Sequence, residues 1–215
     1  MPQRAPGLLR RRLAAPLALL AALSVAGCGA PPADQAAAEG PLRGFEIEAP
    51  LAMPPATLVD TRGEPYDLRE RTAGRITLLF FGYTHCPDVC PVHLANVAAA
   101  LDHLERPVAR EIEVVFVTTD PERDTRKRIR TWLDRFDRGF TGLRGNSATV
   151  AELQRELGLP PAVKEPREGE GYLVGHAAQV IAFGPDGFAR ARYPFGTRQA
   201  DWVHDLPRLV RDGGE

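Results

Sequence analysis

Cysteine is scarce in this chain: three residues in 215, at positions 28, 86 and 90. That is too few for a small scaffold held together by disulfides. Long apolar runs are missing as well. The one stretch that suits a membrane, Leu13 to Val25, has 13 residues, and a bilayer needs about 20. A multi-pass membrane protein is excluded. There is no basic excess either. Lysine and arginine number 27 against 28 acidic residues, and Arg4, Arg10, Arg11 and Arg12 all lie in an acid-free N-terminal segment. Without those four the balance is 23 against 28, near −5, the wrong sign for a nucleic-acid binder. No internal repeat is present. What remains is 44% apolar and 26% charged, enough for a packed core and for one domain with a tail.

The tail reads as an address. Arginines followed by the short apolar run give the n-region and h-region of an export signal. Ala26-Gly27-Cys28 then places small residues directly before a cysteine, which resembles a bacterial lipoprotein signal. The expected layout is a signal peptide over 1–27, lipidation of Cys28, a flexible linker over 28–41 and a folded domain over 42–215. The linker is Ala-, Pro- and Gly-rich without periodicity. The domain then works outside the cytoplasm, in the cell envelope, tethered through its N-terminus. Cys86 and Cys90 remain as an isolated pair.

Arg75 to Tyr83 and Glu111 to Thr118 are continuous apolar runs of the kind found in central buried strands. Pro91 to Leu104 and Asp124 to Phe136 carry apolar residues at helical spacing. Thr141 to Leu143 suits a short strand, and Ser147 suits the N-cap of a helix over 148–157. Gly184-Pro185-Asp186-Gly187 joins two strands as a hairpin turn. A last helix spans Gln199 to Val210 despite Pro207, which kinks it or sits late in it. Asp60 to Tyr66 adds an early hairpin. The order predicts an α/β, thioredoxin-like fold with an additional N-terminal β-hairpin.

Cys86 and Cys90 follow the first long strand and open a helix. Sites in open α/β sheets gather beyond the carboxyl ends of strands, and a helix N-terminus favours thiolate. Residues i and i+4 of a helix have Cβ atoms about 5–6 Å apart, while a disulfide needs about 3.8 Å. A disulfide here needs a distorted turn, which Pro87 and Pro91 favour. A metal is more forgiving, and thiolates select soft ions, above all Cu(I). The pair alone fits a metal site, a redox couple, both, or a structural pair of thiols. Of the histidines, His85 should point away from the thiols, His93 could reach them from the helix, and His103 and His204 should face solvent. His176 stands on the loop that enters the hairpin, where a third ligand could come from. Asp120 and Asp124 follow the second long strand and are best read as ordering that loop. With Arg123 and Arg126 between and beside them they make a poor hard-metal site.

Gly82-Tyr83-Thr84-His85-Cys86-Pro87-Asp88-Val89-Cys90-Pro91, Asp120-Pro-Glu-Arg-Asp124-Thr125, and His176 ahead of Pro185-Asp186-Gly187 together resemble the SCO/SenC family of copper-binding cytochrome oxidase assembly factors. The likeness runs from about Ile47 to Val210. It implies a thioredoxin-like fold and one copper, Cu(I) or Cu(II), held by Cys86, Cys90 and His176. It also implies a role at the CuA centre of an oxidase subunit, by copper delivery or by thiol reduction. Partners would be that subunit or another copper acceptor, and a copper donor. Gly175 departs from the family, which commonly has aspartate before the metal histidine, and His93 is unusual at its position. The leading expectation is a metallochaperone. The alternative is a thiol–disulfide oxidoreductase acting through Cys86 and Cys90, which needs no His176. A peroxidase is disfavoured by the paired cysteines and His176, and no nucleophile is set for a hydrolase.

Overall fold

The computed structural model of the chain describes residues 41–213, apart from 168 and 170. The segment read as a signal, Cys28 and most of the stretch read as a linker lie outside the described residues. Ten strands and six helices follow in order: β1 (Phe45–Glu46), β2 (Thr57–Asp60), β3 (Pro65–Asp67), α1 (Leu68–Thr72), β4 (Ile76–Gly82), α2 (Val89–His103), α3 (Arg106–Arg110), β5 (Ile112–Thr118), α4 (Arg126–Leu133), β6 (Thr141–Arg144), α5 (Ser147–Glu156), β7 (Val163–Pro166), β8 (Tyr172–Gly175), β9 (Gln179–Phe183), β10 (Ala189–Pro194) and α6 (Gln199–Asp212).

Eight strands form one sheet in the order β1-β10-β9-β4-β5-β6-β2-β3. Every residue of β4 and β5 is buried, as their unbroken apolar runs require at the centre of a sheet covered on both faces. They pair in parallel, from Ile76 opposite Ile112 to Gly82 opposite Thr118, with α2 and α3 in the crossover. Alternation along β4 sends Ile76, Leu78 and Phe80 to one face, where Leu94, Ile129, Trp132, Trp202 and Leu206 cover them. Leu79 and Phe81 point to the other face, against Leu58, Tyr66, Val150 and Leu153. The result is an α/β/α sandwich of thioredoxin-like form, with β2 and β3 as the added N-terminal hairpin at one sheet edge. At the opposite edge β1 pairs with β10. Buried Asp205 holds that edge by accepting from the Arg43 and Gly44 amides and from the Tyr193 hydroxyl, at 2.8–3.0 Å.

Several boundaries differ from the sequence expectation. Helix α2 begins at Val89 rather than Pro91, which puts Cys90 in its first turn. Proline is tolerated there because first-turn N–H groups have no intrahelical acceptor. Helix α4 is shorter than 124–136, because Thr125 is its N-cap and accepts from the Arg128 amide at 3.2 Å. Asn146, not Ser147, caps α5, accepting from Thr149 at 2.8 Å. The turn after β9 is as expected, with Gly187 at φ +78°. Pro207 lies inside α6, in its second half, as expected. The β7–β8 ribbon was not foreseen. It pairs Val163 with Gly175 and Pro166 with Tyr172, outside the main sheet.

Candidate metal centre

Three segments meet at the carboxyl end of β4. The first is the loop from Tyr83 into α2. Cys86, half-buried, stands at the helix mouth and accepts from the Cys90 amide at 3.3 Å. Cys90 is fully buried. Gly82 lets this packing happen: a Cβ there would stand 2.9 Å from Cys90 Sγ and 2.9 Å from the Phe116 ring. The second segment is the loop after β8, which carries His176. Its Nε2 lies 3.3 Å from Cys90 Sγ, and its Nδ1 lies 3.1 Å from the Ala177 carbonyl. An Nδ1–H donated to that carbonyl leaves the Nε2 lone pair facing the sulfurs, the form a metal needs. The edges of Tyr83 and Phe80 meet the imidazole at 5.7 and 6.0 Å between centroids and fix its plane.

The two sulfurs and a ring nitrogen of His176 all lie within 4.8 Å of one another. An ion with thiolate bonds of about 2.3 Å and an imidazole bond of about 2.0 Å brings its donors to within about 4 Å. A small contraction suffices. Two soft sulfurs and an imidazole suit a soft ion such as Cu(I). Both cysteines are free thiols, as their position four apart on a helical turn favours.

The third segment follows β5 and braces the other two. Asp124, wholly buried, accepts from the Thr84 amide at 2.9 Å, from the Thr84 hydroxyl and from the Thr118 hydroxyl at 2.6 Å. It thus ties the cysteine loop to the end of β5. Asp120, also wholly buried, accepts from the Tyr172 hydroxyl at 2.9 Å and pairs with Arg123. Arg123 lies 3.7 Å above the Tyr172 ring and donates to the Tyr172 carbonyl at 2.9 Å. This fixes β8, the strand that delivers His176. The carboxylates therefore order loops, as their sequence context indicates.

His93 does not join the cluster. It is buried between Phe80 and Phe195, with Nε2 3.2 Å from the Ala178 carbonyl. Burial lowers its pKa and keeps it neutral. It pins the His176 loop to α2, a role invisible in sequence because the contact spans 85 positions. His85 points away from the thiols, its Nε2 2.7 Å from an Arg128 nitrogen. His103 is exposed. His204 departs from the expected solvent-facing role. It is largely covered between Asp205 and Arg208, because α6 turns that face toward the N-terminal segment. Tyr83, Tyr172 and Arg123 had no sequence signal beyond proximity to the motifs. At Gly175, a Cβ would stand 2.5 Å from the Glu165 carboxylate. The space expected to hold an aspartate side chain is occupied by a carboxylate from β7, and Glu165 and Asp88 line the same cavity as Cys86 and His176.

The two thiols are electrically unlike. Hydrogen bonding from Cys90 pulls the Cys86 pKa down to about 4 against the effect of burial, helped by His176 and by the Cys90 and Asp88 amides. Burial, then the hydrogen bond and charge of Cys86, push Cys90 up. Cys86 is the thiolate at neutral pH. Its depressed pKa stabilises the fold fully above the ordinary thiol value and loses that contribution as pH falls toward 4, while Cys90 acts in the opposite sense. In the reduced, metal-free protein, alkylation of Cys86 should hold its plateau from pH 8 to about 5 and fall with a midpoint at about 4. In Cys90→Ala that midpoint should move upward. A wild-type midpoint at the free-thiol value of about 8.5 contradicts this assignment.

Fold and site together define a class: thioredoxin-like proteins whose paired cysteines, at a strand–helix junction, face a histidine from a distant loop and offer a soft-metal site. Within that class the chain belongs to the SCO1/SenC family, whose model matches residues 46–211. A Stutzerimonas stutzeri protein named for copper binding is 37% identical over 159 residues, 74% of this chain and 77% of its own length. The mitochondrial SCO2 homolog of Bos taurus is 30% identical over 153 residues, 71% of this chain but 57% of the bovine protein. The copper-bound structure of Bradyrhizobium japonicum ScoI superposes with a TM-score of 0.64 at 29% identity, over 77% of this chain and 99% of that one. Apo Sco1 of Thermus thermophilus gives 0.67 at 29% identity, over 82% and 98%.

Proposed function

We propose that this protein is a copper chaperone of the cell envelope. In this reading it binds one copper through Cys86, Cys90 and His176 and supports assembly of the CuA centre of cytochrome c oxidase. The observation that carries the reading is the convergence of two sulfurs and one imidazole nitrogen within 4.8 Å. The copper-bound ScoI structure and the copper-binding name of the Stutzerimonas relative support it. Copper is cargo here. Three donors leave room for an incoming thiol, and half-exposed Cys86 is the place where a partner's sulfur can reach. Asp124 and Asp120 keep the two halves of the site in register. The tether in this reading is a lipid on Cys28 after cleavage of residues 1–27, with 28–41 as linker and 42–215 as the working domain. Among the described residues no helix is long and apolar enough to cross a membrane.

The contrast between the Cys86 thiolate and the protonated Cys90 also favours a second role, reduction of a partner's disulfide by exchange. Cys86 would attack, and Cys90 would resolve the mixed disulfide. The two roles are compatible, since acceptor thiols take copper only when reduced.

The test is anaerobic Cu(I) titration against a competing chelator. One equivalent per chain is expected in the wild type, with binding lost in Cys86→Ser. A wild-type protein that takes up no Cu(I) overturns the chaperone reading and leaves the reductase.

A further inference from the structure

On the other side of the Cys86 loop from the cavity lined by Asp88 and Glu165 runs a second groove, about 420 Å³, between that loop and α4. Its chemistry is cationic. Lys127, Arg128 and Arg135 line it with His85, and Trp132 forms part of its wall. All three cations are exposed. Neither Lys127 nor Arg135 has a carboxylate partner among the described residues, and Arg128 meets the His85 ring rather than an acid. Arg130, by contrast, is paired with Asp134. This concentration stands out because the chain beyond the N-terminal arginines is net acidic, 23 against 28. The groove adjoins His85, the residue before Cys86.

We propose that this groove docks an acidic segment of the protein that exchanges thiols or copper with this one, and so delivers that partner's sulfur to Cys86. The proposal rests on the function inferred above, in that it requires such a partner. A cationic groove at the rim of a reactive thiol raises the local concentration of anionic partners and speeds their encounter, with a strong dependence on salt. The opposite side of the loop, with Asp88 and Glu165, carries the other sign. The two sides therefore orient an approaching molecule as well as attract it.

The test uses the full chain, reduced and free of metal, with three peptides. Each has one cysteine activated as a mixed disulfide with thionitrobenzoate, flanked by glutamates, by glutamines or by lysines. Cys86 thiolate attacks the peptide sulfur, a Cys86–peptide disulfide forms, and thionitrobenzoate leaves as the coloured thiolate. Cys90, losing its proton, then displaces the peptide thiolate and closes the Cys86–Cys90 disulfide. At low salt the glutamate peptide should react at least about tenfold faster than the glutamine one, and the advantage should vanish at high salt. The double variant Lys127→Glu with Arg135→Glu should erase that advantage while the glutamine peptide reacts at the wild-type rate. Equal rates for the three peptides, or a preference that survives the double variant, overturn the proposal. Binding to phosphatidylglycerol vesicles without any preference for the glutamate peptide overturns it in favour of a membrane contact. Copper titration of the same double variant keeps the two readings apart. Copper uptake with no charge preference removes the docking groove alone, and charge preference without copper uptake removes the chaperone alone.

Discussion

Replacing His176 with alanine is expected to weaken Cu(I) binding by at least about 100-fold while leaving thiol–disulfide exchange within a few-fold of wild type. The magnitude follows from the position of the ring. Its Nε2 lies 3.3 Å from Cys90 Sγ, and it is one of only three donors in the cluster. Loss of a partner that merely orients a ligand already costs about 10–100-fold in affinity, so loss of a donor sets that range as a floor. Exchange, in contrast, depends on the thiolate fraction and accessibility of Cys86 and on a resolving Cys90. The Cys86 thiolate draws most on the Cys90 side chain, then on His176, and last on the Cys90 and Asp88 amides, so the Cys86 pKa should rise in the variant while Cys90 still holds it down. The imidazole is held by the Ala177 carbonyl and by the edges of Tyr83 and Phe80, so its removal leaves a local void and takes one partner from Cys90 Sγ and from that carbonyl, while the Asp124 and Asp120 contacts stay in place. Competition titration and exchange kinetics on one preparation read both quantities. Superimposable copper titrations for wild type and variant would falsify the three-donor site. Parallel loss of both activities would show instead that His176 is needed to hold the thiols.

The second large effect concerns a residue that touches no sulfur. Asp124→Ala is expected to lower stability by about 3 kcal/mol or more, because each hydrogen bond to a buried charge contributes about 1.5–3 kcal/mol and the freed donors stay buried. The Thr84 amide, the Thr84 hydroxyl and the Thr118 hydroxyl all lose their acceptor together. In urea, where small domains have m-values of about 1–3 kcal/mol/M, the midpoint should fall by about 1 M or more. The same change releases the loop that carries Cys86, and copper affinity should fall by about 10–100-fold, the cost of losing outer support at a metal site. Denaturation and titration of the variant check the two statements separately. An unchanged midpoint would show that Thr84 and Thr118 find other partners. An unchanged affinity at a lowered midpoint would show that the loop holds its shape without β5.

Much of this protein is written locally in its chain. The unbroken apolar runs of β4 and β5 have only one stable location, a covered sheet centre, so the core was legible from hydrophobic pattern. The cysteine pair was legible because its residue types and spacing carry their own chemistry, and the likeness to SCO/SenC followed from three short motifs that the family match over residues 46–211 bears out. Helix ends were less legible. Asn146 rather than Ser147 became the cap of α5 because a cap depends on one residue's backbone angles and on one hydrogen bond.

Sequence by itself determined that β4 and β5 are the buried central strands, the pairing of Cys86 with Cys90, and the presence of a histidine before the final hairpin. Only the tertiary structure decided that His176 faces those sulfurs while His93, nearer in sequence, is turned into the aromatic core against Ala178. Only it showed that Asp120, Arg123 and Tyr172 hold one loop, that Asp124 holds the other, and that Glu165 fills the space beside Gly175. The physical reason is range. Periodicity and spacing report what neighbours in the chain do to one another. The contacts that aim the His176 ring at Cys90 and hold Thr84 to Asp124 join residues 86 and 40 positions apart, and they exist only once the fold has brought the ends of β4 and β5 and the β7–β8 ribbon together.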